Sequence, residues 1–232
     1  SIVSEITTNG SLLSQKNILK LQKSNLSRIT VSIDGATPEV FENIRVKSNF
    51  ETVISNCKDL IRAYKKKLIR PEISAWCVIQ NDNVNEFEDI YNLCKEIGFD
   101  KLTYQFHLSG WGKDEWNNIN KNKKIEIDSI KQKIDRIKKR GTLEGMEINI
   151  FEENLLTFSK QCVWPWESSY ISKTGDVVPC CIIGDEKVVS FGNIKKNSFK
   201  EIWNSKNYTT FRENIRKNEI PDYCKNCYKE FN

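Results

Sequence analysis

The chain has 232 residues, of which 38% are hydrophobic and 29% charged, and its formal net charge is +5. This composition is typical of a soluble globular protein with one or two domains. No stretch approaches the roughly 18 uninterrupted apolar residues of a membrane span, and the first residues lack the pattern of a secretory signal. We therefore expect a cytoplasmic protein with no membrane partner, whose eight cysteines are metal ligands or thiols rather than a disulfide framework.

The positive charge is concentrated in lysine-rich stretches, at residues 65–67 and between 121 and 139. Both stretches have a helical pattern in which glutamate and aspartate are interleaved with the lysines. Such a pattern predicts solvated helix faces rather than a nucleic-acid surface. We expect no nucleic-acid partner.

The first two thirds of the chain alternate between β-prone and amphipathic segments. Strands are expected at residues 2–7, 28–33, 73–79, 101–106 and 146–151. Helices are expected from residue 11 to about 21, from Pro38 with Thr37 as N-cap, from 50 to 67, from 84 to 97 with Gly98 at the C-terminus, and from 121 to 140, with a loop at 107–120. This alternation predicts a parallel sheet with right-handed crossovers.

Polar or glycine-containing segments follow the expected strands. They are T-N-G at 8–10, S-I-D-G at 32–35, Q-N at 80–81 and H-L-S-G at 107–110. In parallel sheets and barrels, the chemistry collects at the carboxyl ends of the strands. This edge is therefore the expected ligand site, with the single histidine, His107, either facing the site or capping its strand.

The composition changes near residue 160, which predicts one domain at 1–157 and a second at 158–232. In the second domain, short strands at 168–172 and 176–178 flank a hairpin turn, and short helices are expected at 198–203 and 206–217. The remaining cysteines, Cys57, Cys77 and Cys94, lie on apolar faces of first-domain elements and are expected in the core.

Five of the eight cysteines lie in the second domain. Cys224 and Cys227 form a C-x-x-C turn, which brings two thiolates within reach of one metal or cluster, and Cys162 and Cys180 are the expected further ligands. If Cys180 and Cys181 are both extended, they point to opposite faces, so Cys181 is the alternative to Cys180. Spacing alone leaves an iron–sulfur cluster and a structural zinc ion equally open.

The order of the motifs resembles the radical SAM enzymes. The C-terminal motifs are similar to the SPASM or twitch extension of that family, in which a cysteine is followed by G-x-x-x-x-C, here Gly175 to Cys180, and then by C-x-x-C. The companion segments of that extension also occur here, as G-N-I at 192–194 and S-F-K-E-I-W-N at 198–204. T-N-G and S-I-D-G resemble strand ends of the family's barrel, and F-E-N-I-R at 41–45 resembles the segment that follows them. The resemblance covers nearly the whole chain.

The resemblance implies an α/β fold, in which the C-terminal part of a radical SAM partial (β/α) barrel is followed by a small Cys-rich SPASM/twitch domain. The family's C-x-x-x-C-x-x-C motif and its G-G-E-P segment do not occur in the sequence and would precede Ser1. We therefore expect an N-terminally truncated chain that does not cleave S-adenosylmethionine by itself.

The resemblance also implies site residues. One auxiliary [4Fe–4S] cluster is expected on Cys162, Cys180, Cys224 and Cys227. For S-adenosylmethionine, the implied contacts are Ser32 and Asp34 to the ribose, Arg45 to the methionine carboxylate, and Asn81 as a weaker contact. Turn chemistry for Ser32 and Asp34 and a surface position for Arg45 remain open.

The implied activity is that of a radical SAM oxidoreductase. With a second [4Fe–4S] cluster and an electron donor such as flavodoxin or ferredoxin, the full-length enzyme would form a 5′-deoxyadenosyl radical that takes a hydrogen atom from its substrate. Four ligand cysteines favour a small sugar- or cyclitol-like substrate. The alternatives are a peptide- or protein-modifying maturase and a non-enzymatic four-cysteine zinc module.

Overall fold

The computed structural model describes residues 3–106, 113–120, 123, 125–151 and 162–227. These residues form two compact units. The first unit contains the described residues up to 106 and from 123 to 151, and the second contains residues 113–120 and 162–227. None of the helices in these ranges combines the length and the apolar character that crossing a membrane requires.

The first unit alternates strands and helices along the described chain. The strands are β1 (Glu5–Thr8), β2 (Arg28–Ser32), β3 (Glu72–Val78), β4 (Lys101–Gln105) and β5 (Glu147–Phe151). The helices are α1 (Gln15–Leu21), α2 (Pro38–Ile44), α3 (Phe50–Tyr64), α4 (Phe87–Ile97) and α6 (Lys131–Glu144), and helix α5 (Asp114–Asn120) lies in the second unit. Short 3-10 turns at Val84–Glu86 and Ile127–Ile130 precede α4 and α6.

The strands form one parallel sheet in the order β1-β2-β3-β4-β5. Because each crossover adds the next strand on the same side and such crossovers are right-handed, the helices cover a single face of the sheet. On that face α1 packs on α3, α3 on α4, and α4 on α6. This strand order confirms the parallel sheet that the alternation predicted.

The two faces of the sheet differ in polarity because side chains alternate along each strand. The helix-covered face is apolar and includes Ile29, Val31, Ile73, Ala75, Cys77, Leu102 and Tyr104, all buried. On the other face, the hydroxyls of Thr30 and Ser74 lie 3.0 Å apart, and the Trp76 indole donates to Gln105 Oε1 at 2.8 Å. Burial of the apolar face supplies the main driving force for folding, and the polar face carries the groups able to bind a ligand.

The second unit contains a small antiparallel sheet and short helices. Its strands are β6 (Tyr170–Ile171), β7 (Asp176–Val178) and β8 (Gly192–Asn193). Its further helices are α7 (Trp164–Glu167), α8 (Phe199–Trp203) and α9 (Lys206–Arg216), and a 3-10 turn spans Asp222–Cys227. A separate core joins them and consists of Val177, Phe191, Ile202, Tyr208, Phe211 and Ile215.

Most of the expected elements are confirmed, with differences where local patterns are short. Residues 107–120 were expected to form a loop, whereas Asp114–Asn120 is helix α5. The helix expected at 121–140 is α6, which begins at Lys131 and continues to Glu144. Helix α7 and strand β8 were not expected, because four and two residues are too few to show a period.

Local predictions of caps and core positions also hold. The Thr37 hydroxyl accepts from the backbone N–H of Val40 and begins α2, and Gly98 ends α4 in a left-handed conformation. Cys57, Cys77 and Cys94 are fully buried in the first core. Burial raises the pKa of each of these three thiols, as expected for packing residues without chemistry.

The loop after β3 is held to the end of β2 by one buried side chain, Asn83. Its amide nitrogen donates to the carbonyls of Asp34 and Val78, both at 2.9 Å, and its Oδ1 accepts from the N–H of Gln80 at 2.9 Å. Asn83 is 0% exposed. These three hydrogen bonds determine how the carboxyl ends of β2 and β3 are placed relative to each other.

We predict that Asn83→Ala lowers the free energy of unfolding by about 3 kcal/mol, because three buried backbone groups lose their partner. Urea unfolding monitored by circular dichroism measures this. Asn92→Ala is the matched control: Asn92 is exposed on α4, where its side chain accepts a hydrogen bond from Arg140, so its effect should stay within about 0.5 kcal/mol. Equal effects of the two substitutions would contradict the role given to Asn83.

Candidate functional site

The carboxyl edge of the sheet brings together two of the predicted cofactor-binding residues. The Arg45 Nη2 atom lies 2.5 Å from Asp34 Oδ2, and the other oxygen of Asp34 accepts from the backbone N–H of Val78 at 2.8 Å. The Asp34 side chain is 6% exposed and that of Arg45 is 23% exposed. In this structure the carboxylate therefore connects β2, β3 and the end of α2.

This pairing bears on the roles predicted for Asp34 and Arg45. Both oxygens of Asp34 already contact protein groups, although a carboxylate has about four lone-pair positions. These contacts join Asp34 to other strands and helices rather than to its own turn, and its contact with ribose remains a prediction. The surface position considered for Arg45 is not observed, because its guanidinium group is mostly buried against Asp34.

Gly35, the last residue of S-I-D-G, is required by a close approach of backbone. A Cβ atom at this position would lie 2.6 Å from the backbone nitrogen of Phe41 and 2.8 Å from its Cα. Phe41 belongs to α2 and is fully buried. The glycine therefore lets α2 pack directly against the end of β2.

The other predicted contacts lie at the same edge or outside the described residues. Ser32 is the half-buried last residue of β2 and is paired in register with Trp76. The backbone N–H of Asn81 donates to the carbonyl of Lys123 at 3.2 Å. His107 lies outside the described residues.

Asn83 is a residue that the sequence reasoning missed at this edge. Of the two asparagines after β3, Asn81 was taken as the candidate, whereas Asn83 is the one that is fully buried and bonded to the Asp34 backbone. Both occur in the polar run Q-N-D-N, and only the tertiary structure distinguishes them.

In the second unit, Cys162 lies directly before α7. Burial raises the pKa of its thiol, and the backbone N–H of Trp164, which donates to the sulfur, opposes the rise. A backbone donor to sulfur is a common feature around cysteines that ligate iron–sulfur clusters, because it stabilises the thiolate.

Cys180 and Cys181 have different surroundings. Cys180 is half-buried and lies close enough to Tyr208, in the second core, to contribute to its raised pKa. Cys181 is exposed and lies near Tyr170 on β6. Of the pair, Cys180 is the residue that borders the core.

The third segment, the C-x-x-C, forms the terminal 3-10 turn. Cys224 packs against the second core, and the side chain of Cys227 lies outside the described part of the chain. Among the side chains that the structure describes, no three His, Cys, Asp or Glu residues are grouped as a metal site. The four-thiolate set on Cys162, Cys180, Cys224 and Cys227 therefore remains a prediction.

Gly175 begins the segment that leads to Cys180. Its φ is +93°, in the left-handed region that favours glycine, and a Cβ atom would lie 3.0 Å from Asn193 Oδ1. The side-chain amide of Asn193 bonds Thr174 O and Asp176 Oδ2, so β8 closes over the turn. The geometry of the hairpin therefore explains why the first residue of G-x-x-x-x-C is a glycine.

Arg212, on α9, connects the segments that carry the cysteines. Its Nε donates to the carbonyl of Pro165 in α7 at 2.7 Å, and its Nη1 donates to the carbonyl of Trp203 in α8 at 2.8 Å. The guanidinium also stacks on the rings of Trp203 and Tyr208, with 4.1 and 4.2 Å between its Cζ and the ring centroids. Burial lowers the pKa of Arg212 from its usual value.

Sequence reasoning also missed Arg212 and Tyr208. The available signal was their spacing: Tyr208 and Arg212 are four residues apart, so they lie on the same face of α9 as Phe211 and Ile215. An arginine within an apolar stripe is unusual enough to indicate a buried role.

Comparisons with known proteins agree with this arrangement. Residues 162–228 match the family model of SPASM, an iron–sulfur cluster-binding domain. The AdoMet-dependent heme synthase of Methanosarcina barkeri is 26% identical to the chain over 97% of its length and 66% of the relative's own length. Mycofactocin maturase MftC of Mycolicibacterium smegmatis is 22% identical, over 96% of the chain and 55% of the relative.

Solved structures share the fold. SuiB of Streptococcus suis bound to S-adenosylmethionine superposes with a TM-score of 0.63 at 13% identity, covering 91% of this chain and 49% of SuiB. SuiB bound to precursor peptide SuiA gives a TM-score of 0.60. The chain thus spans between about half and two thirds of the length of these proteins.

These findings define the class of protein: an α/β protein with a parallel sheet and a C-terminal SPASM domain. More particularly, the chain is related along almost its whole length to the radical SAM enzymes, as the motifs predicted.

The residues of the second unit fit an iron–sulfur cluster. Thiolates are the usual ligands of such clusters, and the sulfur of Cys162 already accepts a backbone hydrogen bond. The buried polar atoms Trp166 Nε1, Ser169 Oγ, Tyr208 OH and Arg212 Nη2 have no hydrogen-bond partner among the described residues. Each of these atoms can donate a hydrogen bond, and Arg212 is also cationic. Such a set suits an anionic group.

We predict that Asp34→Asn lowers the free energy of unfolding by about 3 kcal/mol, because it leaves the Arg45 guanidinium mostly buried without its carboxylate. The double variant Asp34→Asn/Arg45→Met should lose less than the sum of the two single effects. Urea unfolding of the four proteins gives the coupling energy. Strict additivity would show that the two side chains do not depend on each other.

We also predict that Gly175→Ala destabilises the hairpin before Cys180 by about 2 kcal/mol, through the left-handed backbone and the contact with Asn193. Hydrogen exchange of the Ser172 and Phe191 amides, which bond across the small sheet, measures the local opening. The control is Gly145→Ala, where φ is +72° but no atom lies within 4 Å of the added Cβ. If Gly175→Ala destabilises the protein locally no more than Gly145→Ala does, the cost comes from the left-handed backbone alone and the contact with Asn193 contributes nothing.

Proposed function

We propose that this chain is part of a radical SAM oxidoreductase and that residues 158–232 form its auxiliary [4Fe–4S] cluster domain, with residues 1–157 as the barrel part. The observation that carries the proposal is the SPASM match at residues 162–228, supported by the packing of Cys224 and of Trp166, in the helix after Cys162, against the second core. When bound, the cluster would supply one-electron chemistry to the enzyme.

The proposed ligands are Cys162, Cys180, Cys224 and Cys227. Support for Cys180 over Cys181 comes from its position: Cys180 is half-buried beside Tyr208, whereas Cys181 is exposed beside Tyr170. Support for Cys162 comes from the N–H of Trp164 at its sulfur. The chain's own contribution is to hold these thiolates and to exclude water with the core aromatics.

In the barrel part, we propose that the carboxyl edge of the sheet binds S-adenosylmethionine. Ser32 and Asn81 present side chains at this edge, and the buried Asp34–Arg45 pair holds the end of β2 in place. The proposed parent enzyme also needs a second [4Fe–4S] cluster and an electron donor such as flavodoxin or ferredoxin.

For the substrate, we propose a small polar molecule of the sugar or cyclitol type, in keeping with four ligand cysteines and with the polar face of the sheet, where hydroxyl and amide groups of Thr30, Ser74 and Gln105 lie. Modification of a peptide is the second candidate. It is supported by the likeness to mycofactocin maturase MftC and by the fold shared with SuiB bound to precursor peptide SuiA.

We predict that the anaerobically reconstituted chain binds about four irons and four sulfides, as one [4Fe–4S] cluster requires. Replacing Cys162, Cys180, Cys224 or Cys227 by alanine should each remove most of the iron and the brown absorption. Cys181→Ala is the matched control and should retain both, because Cys181 is exposed and adjacent to a proposed ligand.

Two results would contradict this proposal. Roughly one zinc and no iron per chain would indicate a structural four-thiolate zinc site instead. Loss of iron in Cys181→Ala with retention in Cys180→Ala would exchange the two residues in the ligand set.

A further inference from the structure

Four buried polar groups surround the aromatic core of the second unit without hydrogen-bond partners among the described residues. They are Trp166 Nε1, Ser169 Oγ, Tyr208 OH and Arg212 Nη2. A buried polar group without a partner destabilises the folded state, and native proteins contain few of them. Four such groups in one small unit indicate that they donate hydrogen bonds to an acceptor supplied by a ligand.

The four groups share one environment. Arg212 stacks on the ring of Tyr208, and the hydroxyls of Ser169 and Tyr208 lie near each other without meeting hydrogen-bond geometry. Trp166 packs against the core to which Tyr208 belongs, and Arg216 lies over its ring at 5.9 Å. These groups therefore come from α7, the segment that leads into β6, and α9.

The chemistry of the set selects the kind of acceptor. An indole N–H and a guanidinium N–H only donate, and the two hydroxyls donate readily. The two other guanidinium nitrogens of Arg212, Nε and Nη1, already donate to the carbonyls of Pro165 and Trp203, so the group is held in place with Nη2 available. Donors with a fixed positive charge match an anion, since charge-assisted hydrogen bonds are the stronger ones.

Two of the proposed ligands lie at this core: Cys224 packs against it, and Cys180 lies close enough to Tyr208 to influence the pKa of its hydroxyl. Burial raises the pKa of Tyr208, the Ser169 hydroxyl and the Arg212 guanidinium oppose the rise, and the thiolate of Cys180 adds to it. The hydroxyl of Tyr208 and the sulfur of Cys180 are thus electrostatic neighbours. An iron–sulfur cluster with four thiolate ligands is itself an anion, whose sulfur atoms accept hydrogen bonds.

We propose that Trp166, Ser169, Tyr208 and Arg212 donate hydrogen bonds to an iron–sulfur cluster bound through Cys180, and that they raise its reduction potential. The inference rests on the proposed function, because it requires the cluster. One-electron reduction by an external reductant adds one negative charge to the bound group. Donors stabilise this more negative form, which raises the potential.

The test is the reduction potential of the reconstituted chain, followed by electron paramagnetic resonance in a titration with dithionite. Tyr208→Phe removes one hydroxyl and keeps the buried ring. We expect the ratio of reduced to oxidised cluster at a given potential to fall roughly fivefold, which is ~40 mV towards lower potential at 59 mV per tenfold. The iron content and the stability of the fold should not fall, because the lost hydroxyl has no partner among the described residues.

Tyr170→Phe is the matched control. Tyr170 is also half-buried and lies near the adjacent cysteine, Cys181, so its hydroxyl should not change the potential. Ser169→Ala is a second variant on the proposed donor set, and we expect a smaller shift in the same direction as for Tyr208→Phe. It keeps the inference testable if Tyr208→Phe does not assemble a cluster.

The outcomes separate this inference from the proposed function. Iron and sulfide at the wild-type level with an unchanged potential in Tyr208→Phe and Ser169→Ala would overturn the inference alone, since the four groups would then bind water. A shift confined to Tyr170→Phe would place the cluster on Cys181 and overturn it as well. The absence of iron from the wild-type chain would overturn the proposed function, and this inference with it.

Discussion

The arrangement of the second unit depends on the guanidinium group of Arg212. Short helices and two- or three-residue strands have little stability of their own, so they must be joined by tertiary contacts. Arg212 supplies these contacts: it donates to backbone carbonyls of α7 and of the last residue of α8, and it stacks on two aromatic rings. One side chain thereby connects the segment after Cys162, the core beside Cys180, and the helix that leads to Cys224.

Such an arginine has an energetic cost that a purely structural role explains poorly. Its burial lowers its pKa and leaves one nitrogen without a partner among the residues described. An apolar side chain would fill the same space without this penalty. The cost is understandable if the charge faces an anion, and a thiolate-ligated cluster is the anion that the SPASM match provides. The position of Arg212 would then explain both of its roles, the contacts that join α7 and α8 and the positive charge that faces the cluster.

The first unit uses a similar device at the carboxyl edge of its sheet. The loops that follow β2 and β3 are joined by buried polar side chains, Asp34 and Asn83, whose partners are mostly backbone groups of the neighbouring loop. The position of a loop is less sharply defined when no hydrogen bond anchors it. A binding site, in contrast, needs its groups held within a few tenths of an ångström. The residues most buried at this edge therefore act as supports, and Ser32, which is only half-buried, is the better placed to touch a ligand.

Much of this protein was determined by its sequence alone. Hydrophobic periodicity and turn residues predicted the alternating elements of the first unit, because burying one face of each element is a local pattern. The spacing of the cysteines predicted a metal or cluster site, and the resemblance of the cysteine and glycine motifs to the SPASM extension predicted that the site holds an iron–sulfur cluster. Tertiary structure alone decided which polar residues are buried supports: Asn83 rather than Asn81 is buried, Asp34 meets Arg45, and Arg212 stacks on Tyr208. Such contacts join residues far apart in sequence, and their free energy depends on burial, which no local pattern records.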